Sequence, residues 1–263
     1  MKKLILLLGV VGVITLMTSC WPGGSSYTVP MGGAVIFIDV SANGTVHGRT
    51  SLPDIGAIIT SSEMQDLTIG SPSTNIEIGS FYQFAFSWQD ENGRIELGGD
   101  MIADNVTIDG FVATVLSTEL RMYSAPEVGG SSTMLPFIDI RRPIFSPHFF
   151  FWRDNWVFSF YYTGGEKPPT VTFYKRGFED VGTNSTNIDI DIRIESPASS
   201  EARNRRRSVA VDMSQLRRDF QKAEENHTLN IIFHFYRERI GGQGPELHTS
   251  EPVRWDLARS DGQ

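Results

Sequence analysis

The segment from Asn187 to Glu195 constrains the fold of this chain more than any other part of the sequence. It reads NIDIDIRIE, so an isoleucine occupies every second position and a polar or charged residue occupies each position between. Because successive side chains of a β-strand point to opposite faces, such strict alternation is typical of a strand with one buried face and one wet face. The isoleucines are therefore expected in a core and the charged row at the surface.

Apolar and β-branched runs recur along the chain and predict further strands. Asn43-Gly44 stands between two such runs, and this dipeptide is the strongest short signal for a β-hairpin because both residues tolerate a positive φ. The chain also has 25 glycines and 13 prolines, which punctuate short runs. These patterns predict an all-β fold, a mainly antiparallel β-sandwich. The clearest runs are Ala34–Val40, Phe81–Trp88, Thr107–Leu116, Thr170–Tyr174 and Leu229–Tyr236.

One segment has helical periodicity instead. Near residues 213–225, Leu216, Phe220 and Ala223 fall on one face of a helix, and charged residues occupy the opposite face. Asp212 or Ser214 can cap its N-terminus. The sequence therefore predicts one appended amphipathic helix that lies across a sheet.

The N-terminus has the parts of a secretory signal: two lysines, the uncharged run Leu4–Met17, and small residues after it. This run is shorter than the ~20 apolar residues of a membrane-spanning helix. The sequence Leu16-Met17-Thr18-Ser19-Cys20 resembles the lipobox of bacterial lipoprotein signal peptides, a likeness that covers about the first 20 residues. The resemblance implies cleavage before Cys20 and diacylation of this residue, which is the only cysteine in the chain.

This resemblance suggests how the chain is divided. Residues 1–19 are the expected signal peptide, residues 20–30 a flexible tether, and residues 31–263 the β-sandwich region. A loop-like stretch rich in glycine and serine near 124–134 would allow two sandwiches instead of one.

The same resemblance implies a location in the bacterial cell envelope. Two or three acyl chains on Cys20, palmitate among them, attach a protein durably to a membrane. The residue after the cysteine is Trp21 and not aspartate, which by the sorting rule of enteric bacteria resembles an outer-membrane destination. Removal of the two signal lysines changes the net charge from −8 to −10, and so acidic a protein is not expected to bind nucleic acid.

The segment Phe145–Tyr162 is unusually aromatic, with 10 aromatic residues among 18. It is expected to form a hairpin with Trp152 and Trp156 on either side of the turn Arg153-Asp154-Asn155. Two interpretations remain open. Either these rings fill a core beneath a covering layer, or Trp152, Arg153 and Trp156 form an exposed binding surface for a sugar, a membrane or a partner protein.

No motif for a nucleophile, a phosphate or a zinc ion is present, and the five histidines lack ligand spacing. The sequence therefore predicts no catalytic residues, no metal site and no cofactor. Asp189 and Asp191 lie ~7 Å apart on one strand face. They could bind calcium or act as an acid/base pair, although a solvated charged face is the favoured interpretation.

Four arginines cluster in an otherwise acidic chain. They are expected in a long polar surface loop from Pro197 to Arg207, where they could contact anionic lipid headgroups or an anionic glycan. An exposed charged loop without such a role is the favoured alternative. The four are Arg203, Arg205, Arg206 and Arg207.

Three hypotheses for function follow. The first is a lipid-anchored cell-envelope protein that binds a glycan or an envelope protein without catalysis. The second is an envelope polysaccharide hydrolase that uses carboxylates such as Asp189 and Asp191, or Asp154. The third is a structural subunit of a surface assembly, which a long unpaired strand edge would favour.

Overall fold

The computed structural model describes residues 26–50, 58–69, 76–89, 94–97, 100–127, 135–145, 152–182, 184–196, 201–221, 226–239, 241 and 244–257. The predicted signal peptide and Cys20 lie outside these residues. Within them the chain is mostly β-structure, as the sequence predicts, and forms two sheets.

The first sheet has seven strands in the order β5-β6-β3-β2-β1-β4-β7. Neighbouring strands are antiparallel except for β3 and β6. A helix, α1 (Ser62–Ile69), follows β3 and was not predicted from the sequence. The strands are β1 (Ser26–Val40), β2 (Val46–Thr50), β3 (Ile58–Thr60), β4 (Phe81–Gln89), β5 (Arg94–Leu97), β6 (Asp100–Ala103) and β7 (Thr107–Thr114).

The hairpin predicted at Asn43-Gly44 is confirmed. Val40 of β1 pairs with Val46 of β2, and Gly44 has a φ of 85°, in the left-handed region that glycine adopts without strain. The side chain of Asn43 accepts a hydrogen bond from the backbone N–H of Thr45 at 3.2 Å, which stabilises the turn.

The seven strands form a barrel-like unit around a core of their own, called here the first unit. Ile36 and Ile38 of β1 and Phe84 and Phe86 of β4 are buried in this core, and Met64 of α1 packs among them. The helix is also fixed at its polar side, because the side chain of Gln65 accepts a hydrogen bond from the N–H of Val46 at 2.8 Å.

The remaining ten strands form the second sheet, called here the second unit. Its main order is β10-β11-β14-β8-β12-β13-β15-β16, with β17 beside β15 and β9 beside both β11 and β15. The strands are β8 (Leu116–Arg121), β9 (Phe137–Ile140), β10 (Ile144–Phe145), β11 (Asn155–Gly164), β12 (Thr170–Gly182), β13 (Ser185–Glu195), β14 (Arg203–Asp212), β15 (His227–Glu238), β16 (Pro245–Thr249) and β17 (Val253–Leu257).

Strand β9 closes this second sheet into a ring. It pairs in an antiparallel way with β11 through Phe160↔Ile140, and it pairs in parallel with β15 through Arg237↔Phe137. The apolar side chains of the ring strands point inward and form one large core. The inward direction predicted for the alternating isoleucines is confirmed, since Ile188, Ile190, Ile192 and Ile194 are all buried there.

The prediction of a simple β-sandwich is wrong, although the β class is right. The chain forms two units, each wrapped around its own core, and it passes from one to the other at Val115, between β7 and β8. Alternation shows that one face of a strand is buried. It does not distinguish burial against a second sheet from burial inside a single curved sheet. The sequence allowed for two sandwiches divided near 124–134, and the described strands change sheet between β7 and β8.

The helix predicted near 213–225 is present as α2 (Ser214–Phe220). Leu216 is buried and Phe220 packs at the margin of the core, as the apolar stripe predicts. The N-cap position is held by Met213 without a side-chain cap hydrogen bond, so the predicted cap at Asp212 or Ser214 is wrong, although the carboxylate of Asp212 accepts a hydrogen bond from the N–H of Ser214 at 2.8 Å. None of the helices in the described ranges is long and apolar enough to cross a membrane.

Candidate functional site

The two tryptophans predicted to form an exposed binding surface are buried. Trp152 and Trp156 are 0% and 1% exposed, so the interpretation in which these rings form an exposed stacking platform is wrong. The competing interpretation, a core beneath a covering layer, is correct for both. Trp156 lies inside the second unit, stacked on Phe145 with ring centroids 4.1 Å apart and packed against Trp255.

Trp152 packs instead in the joint between the two units, a third core cluster. Its indole N–H donates a hydrogen bond to the carbonyl of Arg49 in β2 at 3.0 Å, and its ring meets Phe81 of β4 edge-on at 5.6 Å. The first unit supplies the covering layer that hides this ring. The cluster comprises Val35, Phe37, Phe81, Val115, Trp152, Val157 and Ala210.

Arg153 and Asp154 form the turn after Trp152. Arg153 is exposed, has a φ of 54°, and places its guanidinium 5.8 Å from the ring centroid of Phe37. Asp154 is buried and accepts a hydrogen bond from Nε of Arg217 at 2.6 Å. Burial raises the pKa of the Asp154 carboxyl, while the hydrogen bond and positive charge of Arg217 oppose that rise.

The arginine cluster does not lie in a loop. The run from Arg203 to Arg207 is the start of β14, where Arg205 pairs with Tyr162 and Arg206 pairs with Tyr161 of β11. The Nε atom of Arg205 donates to the carbonyl of Gly164 at 3.1 Å. These contacts give the cluster a role in strand pairing, and residues 197–200 of the predicted loop lie outside the described residues.

A polar groove lies on the outer face of the second unit and is called here the charged groove. Strand register brings its central residues side by side, because Tyr174 of β12 pairs with Asp191 of β13, and Asp191 pairs with His234 of β15. The groove has a volume of about 480 Å³. Its polar lining consists of Ser124, Glu127, Arg176, Asp191, Arg193, His234 and Tyr236.

The groove contains basic and acidic groups in fixed positions. The guanidinium of Arg193 donates to the carbonyl of Pro126 at 2.7 Å and lies 5.5 Å from the ring centroid of Tyr174. Arg121 covers the same ring at 5.2 Å and donates to its hydroxyl at 3.1 Å. Arg193 therefore joins the loop at Pro126 to the sheet, and it is held before any ligand arrives.

At the far side of the groove a hydrogen-bonded chain fixes an imidazole. Nε2 of His234 lies 2.7 Å from Oδ1 of Asp189, and Nδ1 lies 3.1 Å from the hydroxyl of Thr249. His234 lies on the face of β15 opposite to the buried rings of Phe233 and Phe235. Both ring nitrogens have partners, so the ring is held in one orientation.

The carboxylates of Asp189 and Asp191 do not form a facing pair. Both project from one face of β13; Asp189 contacts His234, and Asp191 lies 3.9 Å from the guanidinium of Arg176. Glycoside hydrolysis needs two carboxyl groups that face each other across the bond to be broken. Asp154, the third proposed acid, is buried against Arg217. Within the described ranges, no three His, Cys, Asp or Glu side chains are grouped to hold a metal ion.

A second and more apolar recess, called here the arginine-rimmed cavity, opens on the second unit between β9 and β17. Its volume is about 210 Å³, and the rings of Phe158, Phe233 and Phe235 line it. Arg141, Arg142, His248 and Glu251 also line the cavity, along with Ile140, Pro143, Ser250, Pro252 and Val253.

Sequence reasoning missed both recesses. In the charged groove, Arg193 packs on Tyr174. The ring of Tyr174 also contacts Arg121 and Tyr123, because β8 inserts between β12 and β14 through parallel pairing. No local pattern specifies such a long-range pairing. The adjacent Arg141-Arg142-Pro143 was the only local signal at the second recess, since two cations before a proline indicate an exposed turn.

Comparison with known proteins relates the chain to others by fold. No protein-family model and no curated protein sequence matches it. A "Putative lipoprotein" from Bacteroides fragilis has a similar structure, with a TM-score of 0.55, 11% identity, and coverage of 90% of this chain and 100% of the other. An uncharacterized protein from Parabacteroides merdae has a TM-score of 0.53 at 11% identity, with 86% and 99% of the two chains covered.

A NigD-like immunity protein from Bacteroides caccae is a weaker likeness, with a TM-score of 0.47, 13% identity, and 88% and 93% of the two chains covered. The first two similarities show that the two-unit fold is shared with proteins of Bacteroides fragilis and Parabacteroides merdae. They show the fold alone.

Proposed function

We propose that the protein is a lipid-anchored protein of the bacterial cell envelope that binds an envelope glycan in the charged groove without catalysing a reaction. The observation that carries this proposal is the groove itself, in which Arg193, Asp191 and His234 are held in place by contacts within the protein. Polar groups fixed in advance lose little entropy on binding and favour a polar ligand.

The charges of the groove point to a ligand with both signs of charge. Arg176 and Arg193 offer donors for carboxylates, while Asp191 and Glu127 accept from ammonium or hydroxyl groups. Peptidoglycan fragments combine sugar hydroxyls, carboxylates and amines, and they match this lining better than a neutral or a purely anionic polymer. We therefore take them as the probe.

The lipid anchor is supported by the lipobox-like sequence that ends at Cys20. The Bacteroides fragilis protein of similar fold is itself described as a "Putative lipoprotein". Trp21 after the cysteine favours the outer membrane. A structural-subunit role has less support, because the strands added at the margins of the second unit, β10, β16 and β17, are only two to five residues long.

The anchor is tested with Cys20→Ser in a bacterial host that processes lipoproteins. We expect the variant to lose incorporation of an alkyne-labelled fatty acid and to leave the membrane fraction. Ser19→Ala is the matched control, since it keeps a small residue beside the cleavage point and should leave labelling intact. Undiminished labelling of Cys20→Ser would contradict the anchor.

The groove is tested with Arg193→Met, which keeps the length of the side chain and removes its charge. A hydrogen bond to a charged group contributes roughly 1.5–3 kcal/mol, so affinity for soluble peptidoglycan fragments should fall at least about tenfold in calorimetric titrations. Arg254→Met, an exposed arginine of β17 paired with Asp256, is the matched control. Equal affinity of Arg193→Met and wild type, or no binding of the fragments, would overturn the groove proposal.

A further inference from the structure

We infer that the arginine-rimmed cavity is a second ligand site, separate from the charged groove, that takes a small carboxylic acid with one aromatic ring. The cavity leads from the surface to the core rings Phe158, Phe233 and Phe235, which are 2%, 2% and 5% exposed. A recess that reaches core aromatic rings and carries a few charged groups is the usual form of a small-molecule site.

The volume limits the apolar part of the ligand. An engineered apolar cavity of about 150 Å³ holds one benzene molecule. The present recess, about 210 Å³, has room for one ring with a short linker but not for a full-length lipid chain. The phenylalanine rings favour an aromatic guest, because aromatic pairs gain from edge-to-face and offset-stacked contacts.

The charge of the rim specifies the other end of the ligand. Arg141 and Arg142 are both exposed, and Glu251 supplies one carboxylate against these two guanidiniums. Arg141 is directed along β11, where its Nη2 is 3.5 Å from the hydroxyl of Tyr161. Arg142 has no ion pair with any residue in the described part of the chain. An arginine fork matches the two oxygens of a carboxylate.

Both lips of the cavity are fixed to the second unit by backbone hydrogen bonds. The N–H of Arg141 donates to the carbonyl of Ser159 in β11 at 2.9 Å. On the opposite lip, the N–H of Ser250 donates to the carbonyl of Phe233 at 2.8 Å, and the N–H of Phe233 donates to the hydroxyl of Ser250 at 3.0 Å. The recess is therefore shaped before a ligand enters, which lowers the cost of binding.

The experiment compares hydrocinnamate with its neutral analogue hydrocinnamyl alcohol in calorimetric titrations of the purified protein. We expect hydrocinnamate to bind at one saturable site, at least about tenfold more tightly than the alcohol. The double variant Arg141→Gln/Arg142→Gln should remove this preference by lowering the affinity for hydrocinnamate to that for the alcohol. Arg218→Gln is the control with the same change at an exposed arginine of α2 that does not line the cavity, and it should leave the affinity unchanged.

A second variant separates the cavity from general attraction to a basic surface. Ile140→Phe replaces a lining side chain with a larger ring while leaving both arginines in place, so both compounds should lose at least about tenfold in affinity. Its fold is checked by circular dichroism and thermal unfolding. No saturable binding of hydrocinnamate, an equal affinity for the alcohol, or undiminished binding by either the double variant or a folded Ile140→Phe would overturn the inference. Loss of peptidoglycan binding by Arg193→Met would not affect it, because the two recesses share only Phe235.

Discussion

Trp156 packs among rings of the second unit, whereas Trp152, four residues earlier in the chain, packs where the two units meet. The two side chains are equally buried, but their surroundings differ. Trp156 has neighbours from β10, β15 and β17 of the second unit, while Trp152 is held by β2 and β4 of the first unit. The turn between the two tryptophans therefore places one ring in the core of the second unit and the other ring in the joint between the two units.

This difference shows that a high content of aromatic residues does not by itself identify an exposed binding surface. Both tryptophans of the most aromatic segment pack in cores, whereas the charged groove lies on other strands. Each tryptophan can be removed separately, which gives a direct way to compare an inner core with a joint.

Trp156→Ala should have the largest effect. A Trp→Ala change in a core costs about 3–5 kcal/mol, and the closed ring around Trp156 limits collapse into the cavity left behind. The free energy of unfolding, from urea titrations followed by circular dichroism, should fall by this amount. Trp156→Phe keeps a ring against Phe145 and should lose less than half as much. Equal losses for the two variants would contradict the packing described.

Trp152→Ala should cost somewhat less, about 3 kcal/mol, because the two units can shift toward each other and fill part of the space. The shape of the unfolding transition should also differ between Trp152→Ala and Trp156→Ala. Weakening the joint should separate the unfolding of the first unit from that of the second, so that a single transition becomes two in calorimetry. Trp152→Phe, which loses the hydrogen bond to Arg49 but keeps a ring against Phe81, is the control. One unchanged transition for Trp152→Ala would show that the joint does not couple the units.

Arg217→Met tests how the turn between the tryptophans is held to α2. The change leaves the buried Asp154 carboxylate without its partner, and we expect a loss of about 2–3 kcal/mol at pH 7. The guanidinium also lies 5.0 Å from the ring centroid of Trp255, so methionine is chosen to retain apolar contact.

The pH dependence of this variant has a defined sign. Burial already raises the pKa of Asp154, and loss of Arg217 should raise it further. The folded state then binds more protons than the unfolded state above the ordinary aspartate pKa, so stability should increase as the pH falls from 7 toward 5. The double variant Arg217→Met/Asp154→Asn should lack this increase. A loss for Arg217→Met that is independent of pH would contradict an uncompensated carboxylate.

The smallest expected effect on stability is that of a substitution at His47, a residue of the first unit. Burial lowers the pKa of its imidazole, the charge of Arg49 lowers it further, and the carbonyl of Thr45 and the charge of Asp39 oppose the shift. Between the lowered pKa and the ordinary value near 6.5, the unfolded state binds more protons, so stability is lost as the pH falls through this window. His47→Gln should reduce the stability difference between pH 7 and pH 5, measured by urea titrations at the two pH values. An equal stability difference for His47→Gln and wild type would contradict this role.

Much of the local structure could be predicted from the sequence. The face of each isoleucine in β13, the turn at Gly44 and the site of α2 follow from periodicity and turn chemistry, which act over a few residues. The location of α1 could not be predicted, because Ser62–Ile69 has only a weak apolar stripe.

The assembly of the strands and the candidate sites could not be predicted in the same way. The position of β8 between β12 and β14, and the parallel pairing of β13 with β15, join residues that lie far apart in sequence. The charged groove exists only because of those pairings. Trp152 is likewise covered by Phe81, which lies far away in sequence, so no local pattern could predict this contact.

Strand β1 begins at Ser26, although the sequence placed residues 26–30 in the tether. If Cys20 carries lipid, the covalent link from the anchor to the folded part is six residues long and can reach at most ~20 Å. A force transmitted through this link would act along β1. This strand pairs with β4 from Ser26↔Gln89 onward, and it also pairs with β2. With lipid on Cys20, such a pull would load the hydrogen bonds between β1 and β4 along the strand direction, beginning at Ser26↔Gln89.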